Sequence, residues 1–364
     1  MNKTTTQMSK GITLLILVLN VYMSYPIFDT SLVSGYGWRV GNFCELSLAL
    51  FAILIGYEYH SFKEKNIRYG MKRIWGLFKI YWLSLAFIEL PLLLMGTDEE
   101  MFVLQGFLEN LIGLSMIQEW HIWFVFLFIM AMLGLPYLCS RFEKKVWAGL
   151  AAGIVLPYIL FGLVKLIPIY EKNYVLQDLA QCFLYFPCIV VGYLLARYQV
   201  FEKADEWIRW KVAVAILGIA GVILLRSITY QQIGNLLDIL YAVVFLWSLS
   251  QFVKYGSEVN WLRKLLSKLG KYAAGVWIYY TIVYSMYISQ ILSSLDGIIK
   301  SWVLLYLIGV AISFAGAWLH QKIARSNVNI EEQYEKGNSL NFCGSFCFDD
   351  LCPGSRDHTV LLLP

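Results

Sequence analysis

Residues 146–166 read VWAGLAAGIVLPYILFGLVKL, a run whose single charge, Lys165, stands at its far end. A hydrocarbon core about 30 Å thick is crossed by roughly 20 apolar residues in a helix. This run has that length, and lipid is the simplest solvent for it. Nine further segments qualify in the same way: 11–28, 42–58, 74–96, 122–140, 177–197, 211–226, 235–254, 271–293 and 300–320. The composition agrees. Of 364 residues, 59% are hydrophobic and 15% charged, where soluble domains carry about 25% charged residues. The expected fold class is all-α, an integral membrane bundle of about ten transmembrane helices. The net charge of +4 gives no reason to expect a nucleic-acid partner.

The placement of the basic residues sets an orientation, because loops on the cytoplasmic side are enriched in Lys and Arg. With the N-terminus inside, the cytoplasmic segments hold Lys63, Lys65, Arg68, Lys72 and Arg73, then Arg141, Lys144 and Lys145. Arg197, Lys203 and Arg209 follow, then Lys254, Arg263, Lys264 and Lys268, and finally Lys322 and Arg325. The alternate segments hold only Arg39, Lys165, Lys172, Arg226 and Lys300. A miscounted span would break this alternation. The expectation is a multi-pass protein of the cell membrane with both termini cytoplasmic. Lys3 and Lys10 precede the first apolar run, but no small-residue cleavage site follows it, so that span is expected to be retained.

Residues 1–326 form the expected membrane domain, and 327–364 a cytoplasmic tail expected to be disordered. In that tail Cys343, Cys347, Cys352 and His358 match no standard zinc spacing, and no metal is expected. Cys44, Cys139, Cys182 and Cys188 lie in or beside apolar runs, where cysteine acts as a small hydrophobe. The acidic loop 97–121 has an apolar middle, 101–117, which fits a re-entrant or interfacial helix.

Ionisable groups at membrane depth are expensive and mark candidate sites. Glu45 stands near the outer start of the second span, as a carboxylate that either reaches interfacial water or serves chemistry. Lys79 and Glu89 lie in the third. His121 follows Glu119 and Trp120 where the fourth span begins. It is either an interfacial histidine in an aromatic belt or a proton-transfer group, since imidazole titrates near neutral pH. His320, at the inner end of the tenth span, is expected to be interfacial. Arg68, Lys72, Arg73 and Lys79 cluster at the cytoplasmic mouth of spans 2 and 3. They either anchor topology or hold the phosphates of a cytosolic donor such as coenzyme A, for which the planar fork of Arg is suited.

Four stretches, opening at Lys10-Gly11-Ile12, Phe51-Ala52-Ile53, His121-Ile122-Trp123 and Leu269-Gly270-Lys271, taken in order resemble the integral-membrane acyltransferase-3 family, whose members O-acylate sugars of surface polysaccharides and related molecules. Lys10-Gly11-Ile12 opens the first span. Phe51-Ala52-Ile53-Leu54-Ile55-Gly56-Tyr57 is similar to the family's Phe-Phe-x-x-Ser-Gly-Tyr, and leads to Lys72-Arg73 and Ile80-Tyr81-Trp82. His121-Ile122-Trp123-Phe124, with Pro136-Tyr137, resembles its His-x-Trp-Phe span ending in Pro. Leu269-Gly270-Lys271-Tyr272 resembles its Leu-Gly-Lys-x-Ser. The resemblance covers about residues 8–322.

The resemblance implies a membrane O-acyltransferase that moves an acetyl group from acetyl-CoA to a hydroxyl of a cell-surface glycan. Arg68, Lys72 and Arg73 would bind the donor's phosphates. His121 would be the acid/base group, oriented by Glu119 or Glu45. Trp123, Tyr57, Asn20 and Tyr280 would shape the acceptor pocket. Membrane lipid, the glycan and cell-envelope assembly proteins are the implied partners. The chain departs from the family at several positions. The family's catalytic His, eleven residues after the first basic position, is Val21 here. The motif Ser is Ile55, the second Arg of the basic turn is Gly76, the expected Pro is Lys79, and a His frequent in the penultimate span is Tyr280. Two other readings follow: a catalytically silent member that binds glycan or partners, and a transporter of a polysaccharide intermediate.

Overall fold

In lipid, backbone N–H and C=O groups must bond within the segment that carries them, which leaves helices as the simplest spanning elements. The computed structural model describes residues 1, 3–24, 37–62, 65–84, 86, 123–283, 303–304, 306–320 and 322, and among them there is no strand. The helices are α1 (Lys3–Ser24), α2 (Gly37–Cys44), α3 (Leu46–His60), α4 (Ile67–Ser84) and α5 (Trp123–Lys144). Then come α6 (Val146–Lys165), α7 (Tyr174–Arg197), α8 (Val200–Trp207) and α9 (Lys211–Ile233). The last are α10 (Asp238–Gly256), α11 (Asn260–Lys271), α12 (Ala273–Val283) and α13 (Tyr306–His320). They lie in one unit, Met1–His320; of the second, Gln321–Pro364, only Lys322 is described.

Among the described residues, five runs are long and apolar enough to cross a membrane: Val40–His60, Trp123–Lys144, Val146–Lys165, Val175–Arg197 and Lys211–Gly256. The fifth has 46 residues, about 69 Å if straight, more than twice a bilayer core. It folds back instead. Gly234 takes φ +57, open to glycine without steric cost, and a 3-10 turn at Gly234–Leu237 reverses the chain. The surfaces agree with lipid, since large apolar side chains point outward: Leu217 is 71% exposed and Leu163 54%. The chain is a multi-pass all-α membrane bundle.

Each of the ten apolar segments has described helix in it. The boundary at 226 differs. The sequence ends that span at its charge, yet α9 runs on to Ile233, because Arg226 finds a carboxylate and need not leave the helix. In α6, Pro157 has no N–H for the carbonyl of Gly153, and a π turn occupies Ala151–Val155. Asn173 caps α7, its Oδ1 accepting the Leu176 N–H at 3.1 Å.

Two crossings are closed by glycine. On α3 and α7, a Cβ at Gly56 would lie 1.8 Å from the Ile189 carbonyl oxygen, and one at Gly192 2.0 Å from that of Ile53. On α1 and α11, a Cβ at Gly11 would lie 2.3 Å from the Leu266 oxygen, and one at Gly270 1.8 Å from that of Gln7. No other residue fits there, which is how small residues bring membrane helices together. Cys44, Cys139, Cys182 and Cys188 are buried free thiols. The segment 101–117, expected to be a re-entrant or interfacial helix, Glu89 and the cysteine-containing tail lie outside the described residues. His320, expected at the interface, is buried, with Nδ1 3.4 Å from the Tyr279 hydroxyl.

Candidate functional site: a buried polar cluster opposite a basic end

Glu45 occupies the break between α2 and α3, and both its neighbours along the chain, Cys44 and Leu46, are buried. Such a carboxylate needs donors. Tyr230 supplies one: its hydroxyl donates to Glu45 Oε2 at 2.9 Å. The Tyr230 ring lies under the Arg226 guanidinium, 5.1 Å from Cζ to centroid. Arg226 and Asp238 are each 1% exposed. Their pairing is a two-bond fork, Nε to Oδ1 at 2.8 Å and Nη2 to Oδ2 at 2.9 Å. Nη2 also donates to Asn235 Oδ1 at 3.1 Å. The Gly234 turn makes this possible by folding α10 back along α9. Thr229 and Tyr241 add a hydroxyl pair at 2.9 Å.

Tyr185 of α7, fully buried, lies within electrostatic range of Asp238, Glu45 and Arg226. Among the described residues its hydroxyl has no partner. Its ring stacks on Trp123 at 5.3 Å. Trp123 is buried, and its carbonyl accepts from Cys182 Sγ at 3.4 Å. Beside it Phe124 meets Phe51 at 6.4 Å and Trp277 at 5.3 Å. Glu45 and Trp123 thus flank one polar and aromatic interior. His121 and Glu119, just upstream of Trp123, lie outside the described residues. Asn20 on α1 and Tyr280 on α12 are buried, on helices that pack together.

Tyr57 stands elsewhere. It is twelve residues along α3 from Glu45, about 18 Å at 1.5 Å per residue. Its ring stacks on Phe201 at 6.0 Å, and its hydroxyl bonds to Glu202 Oε1 at 3.2 Å and to the Met1 amino group at 2.6 Å. Burial raises the Glu202 carboxyl, but hydrogen bonds from the Met1 amino group and its own backbone outweigh this and hold it low. Lys10 pairs with Glu58 at 2.5 Å. Asp205 accepts from Trp247 Nε1 at 3.1 Å, Gln251 Nε2 at 2.7 Å and Lys254 Nζ, tying α8 to α10.

Beyond this end of α3, Asn66 Oδ1 caps α4 by accepting the Tyr69 N–H at 2.8 Å. Arg68 and Lys72, four residues apart, share one face of α4 and are exposed. Arg73 is also exposed, its guanidinium 4.7 Å above the Phe62 ring and 5.7 Å from Tyr69. Helix α3, 15 residues long, separates these cations from Glu45 by about 22 Å.

The acyltransferase-domain model of the acyltransferase-3 family matches residues 10–322. The chain belongs to the acyltransferase-3 family. Comparisons with curated proteins and with solved structures give no match. As a member of this family the protein is a membrane acyltransferase, and its four motif stretches meet in the fold. Lys10 reaches Glu58, next to Tyr57. Gly11 packs backbone to backbone on the helix of Gly270. Phe51 meets Phe124.

Arg226 and Asp238 escaped the sequence reading. Arg226 reads as a loop charge and Asp238 as the edge of a span. The available signal was a charge of each sign ending the two apolar runs of one short hairpin.

Proposed function

We propose that this acyltransferase moves an acetyl group from acetyl-CoA, bound at the basic end, to a hydroxyl of a cell-surface glycan at the end that holds Glu45. The family match over residues 10–322 carries the reading, and the placing of exposed Arg68, Lys72 and Arg73 at the opposite end of α3 from Glu45 supports it. Arg68 and Lys72 present exposed cationic groups for the donor's phosphates, and Arg73 adds a guanidinium steadied by two rings. The basic end faces the cytoplasm, where acetyl-CoA is made, and the protein sits in the cell membrane with both termini inside.

Transfer forms a bond between the acceptor oxygen and the acyl carbon and breaks the carbon–sulfur bond. The hydroxyl proton passes to a base and the leaving thiolate takes up a proton. His121 is the base in this proposal, with Glu45, held by Tyr230, or Glu119 orienting it. Positioned proton transfer contributes typically 10²–10⁴-fold. Trp123, Asn20 and Tyr280 line the acceptor side, and Tyr57 braces the donor side. The test is transfer of labelled acetyl from acetyl-CoA to glycan in purified membranes. Absence of transfer above a vector control across several acceptors overturns the proposal.

Val21, where the family's catalytic His would stand, favours a second reading: a silent member that binds glycan or envelope-assembly proteins. Loss of a measured transfer in His121→Ala removes that reading.

A further inference from the structure

Beside the buried fork lies a pocket of about 430 Å³, lined by Asn42 and Phe43 of α2 and by Ala220, Ile223, Leu224, Arg226 and Ser227 of α9. Its size is in the range of small-molecule sites. Leu224 is 61% and Ile223 43% exposed on the apolar outer face of α9, so the pocket opens sideways to lipid. Its floor is polar. Arg226 spends Nε and Nη2 on Asp238 and Asn235. Nη1 is buried and has no partner among the described residues. An unsatisfied donor on a charged group is costly in such a place, and a ligand acceptor would relieve that cost.

The charge balance selects the acceptor. Among the described side chains, two carboxylates stand around the Arg226 guanidinium, Asp238 bonded to it and Glu45 within electrostatic range. These three groups together offer a phosphate or free carboxylate no net positive charge. A neutral carbonyl oxygen takes the hydrogen bond without that repulsion.

We propose that this pocket is a lateral binding site for an acyl lipid, its chain along Ile223 and Leu224 and its ester carbonyl on the floor formed by Arg226, Asn42 and Ser227. The pocket opens on the lipid-facing side of the same polar cluster, and its test uses neither the acetyl donor nor the glycan.

The experiment uses the full chain in phosphatidylcholine nanodiscs containing a phosphatidylcholine with a diazirine close to its ester. After illumination, mass spectrometry compares label on residues 40–45 and 220–227 with label on the lipid-facing Ile216 and Leu217. The expected result is strong enrichment at the pocket segments. The ether-linked analogue, which lacks the carbonyl, should label them on the order of tenfold less, the loss of one hydrogen bond to a charged group. Ala220→Trp, on an exposed pocket wall, should abolish pocket label and spare Ile216 and Leu217. Excess monoacylglycerol should displace the ester probe, and hexadecyl phosphate should not. Equal labelling of both regions, equal labelling by ester and ether, or displacement by hexadecyl phosphate as effective as by monoacylglycerol overturns the proposal. The ester–ether comparison needs no variant, so the test stands even if Ala220→Trp fails to fold.

Discussion

Replacing Asp238 by Ala should be among the most damaging single changes in this protein. The side chain accepts two bonds from a guanidinium that is itself 1% exposed. Without it, Arg226 keeps Asn235 and the more distant Glu45, and must hold its charge in a low-dielectric interior. Breaking a buried pair from one side costs about 3–5 kcal/mol. Asn235 retains one bond, which argues for the lower end, about 3 kcal/mol. That is roughly a 150-fold change in the unfolding equilibrium at 1.4 kcal/mol per tenfold. Arg226→Met should cost a similar amount, because it strands Asp238. The double replacement, Arg226→Met with Asp238→Leu, should cost much less than the sum, since a well-packed apolar pair often replaces a buried ion pair without loss. The assay is a double-mutant cycle on reversible unfolding in mixed micelles. Hydrogen-bonded pairs between membrane helices average about 0.6 kcal/mol in such cycles. A coupling no larger than that would refute the view that the fork holds the α9–α10 hairpin together.

Tyr230→Phe should leave Glu45 Oε2 without its donor and cost about 1–3 kcal/mol, read in the same unfolding assay; an unchanged midpoint would show that water already serves Glu45. Gly192→Leu should push α7 off α3, because even a Cβ would sit 2.0 Å from the Ile53 oxygen; folded yield after detergent extraction should collapse, and wild-type yield would refute the crossing. Arg68→Ala together with Lys72→Ala should raise KM for acetyl-CoA by about tenfold, the loss of charge-assisted phosphate contacts, with little change in kcat in a labelled-acetyl assay. For Asp205, burial raises the carboxyl, but hydrogen bonds from Lys254 and Gln251 outweigh it and hold the folded form below its usual range. Its contribution to stability is therefore complete above the unfolded value, near 3.9, and fades as pH falls through the lower folded one. Asp205→Asn should flatten the acid limb of the unfolding profile below about pH 4, and an unchanged limb would remove Asp205 as its source.

The membrane class was legible because it rests on length and apolarity, which add along the chain regardless of how helices pack. Glu45 was legible for the same reason, as a charge where lipid penalises charge. Arg226 and Asp238 were not, because their meeting depends on the turn at Gly234, and a separation of twelve residues belongs to no helical period. Tyr57 shows the reverse case. Its motif pointed to a pocket, yet its hydroxyl goes to Glu202, a partner 145 residues away that no local spacing could suggest. The glycines of the first and fourth motifs were visible as letters, but that they touch emerged only from the packing of α1 on α11.

The crossing of α3 on α7 has a mechanical consequence. At Gly56 and Gly192 the two backbones lie so near that neither rod can slide along the other without its carbonyls striking the opposite chain. What such a joint leaves free is rotation about the point of contact, as at a fulcrum. Any relative motion of these two helices is then a scissoring about this pivot, and larger displacements fall to helices outside it.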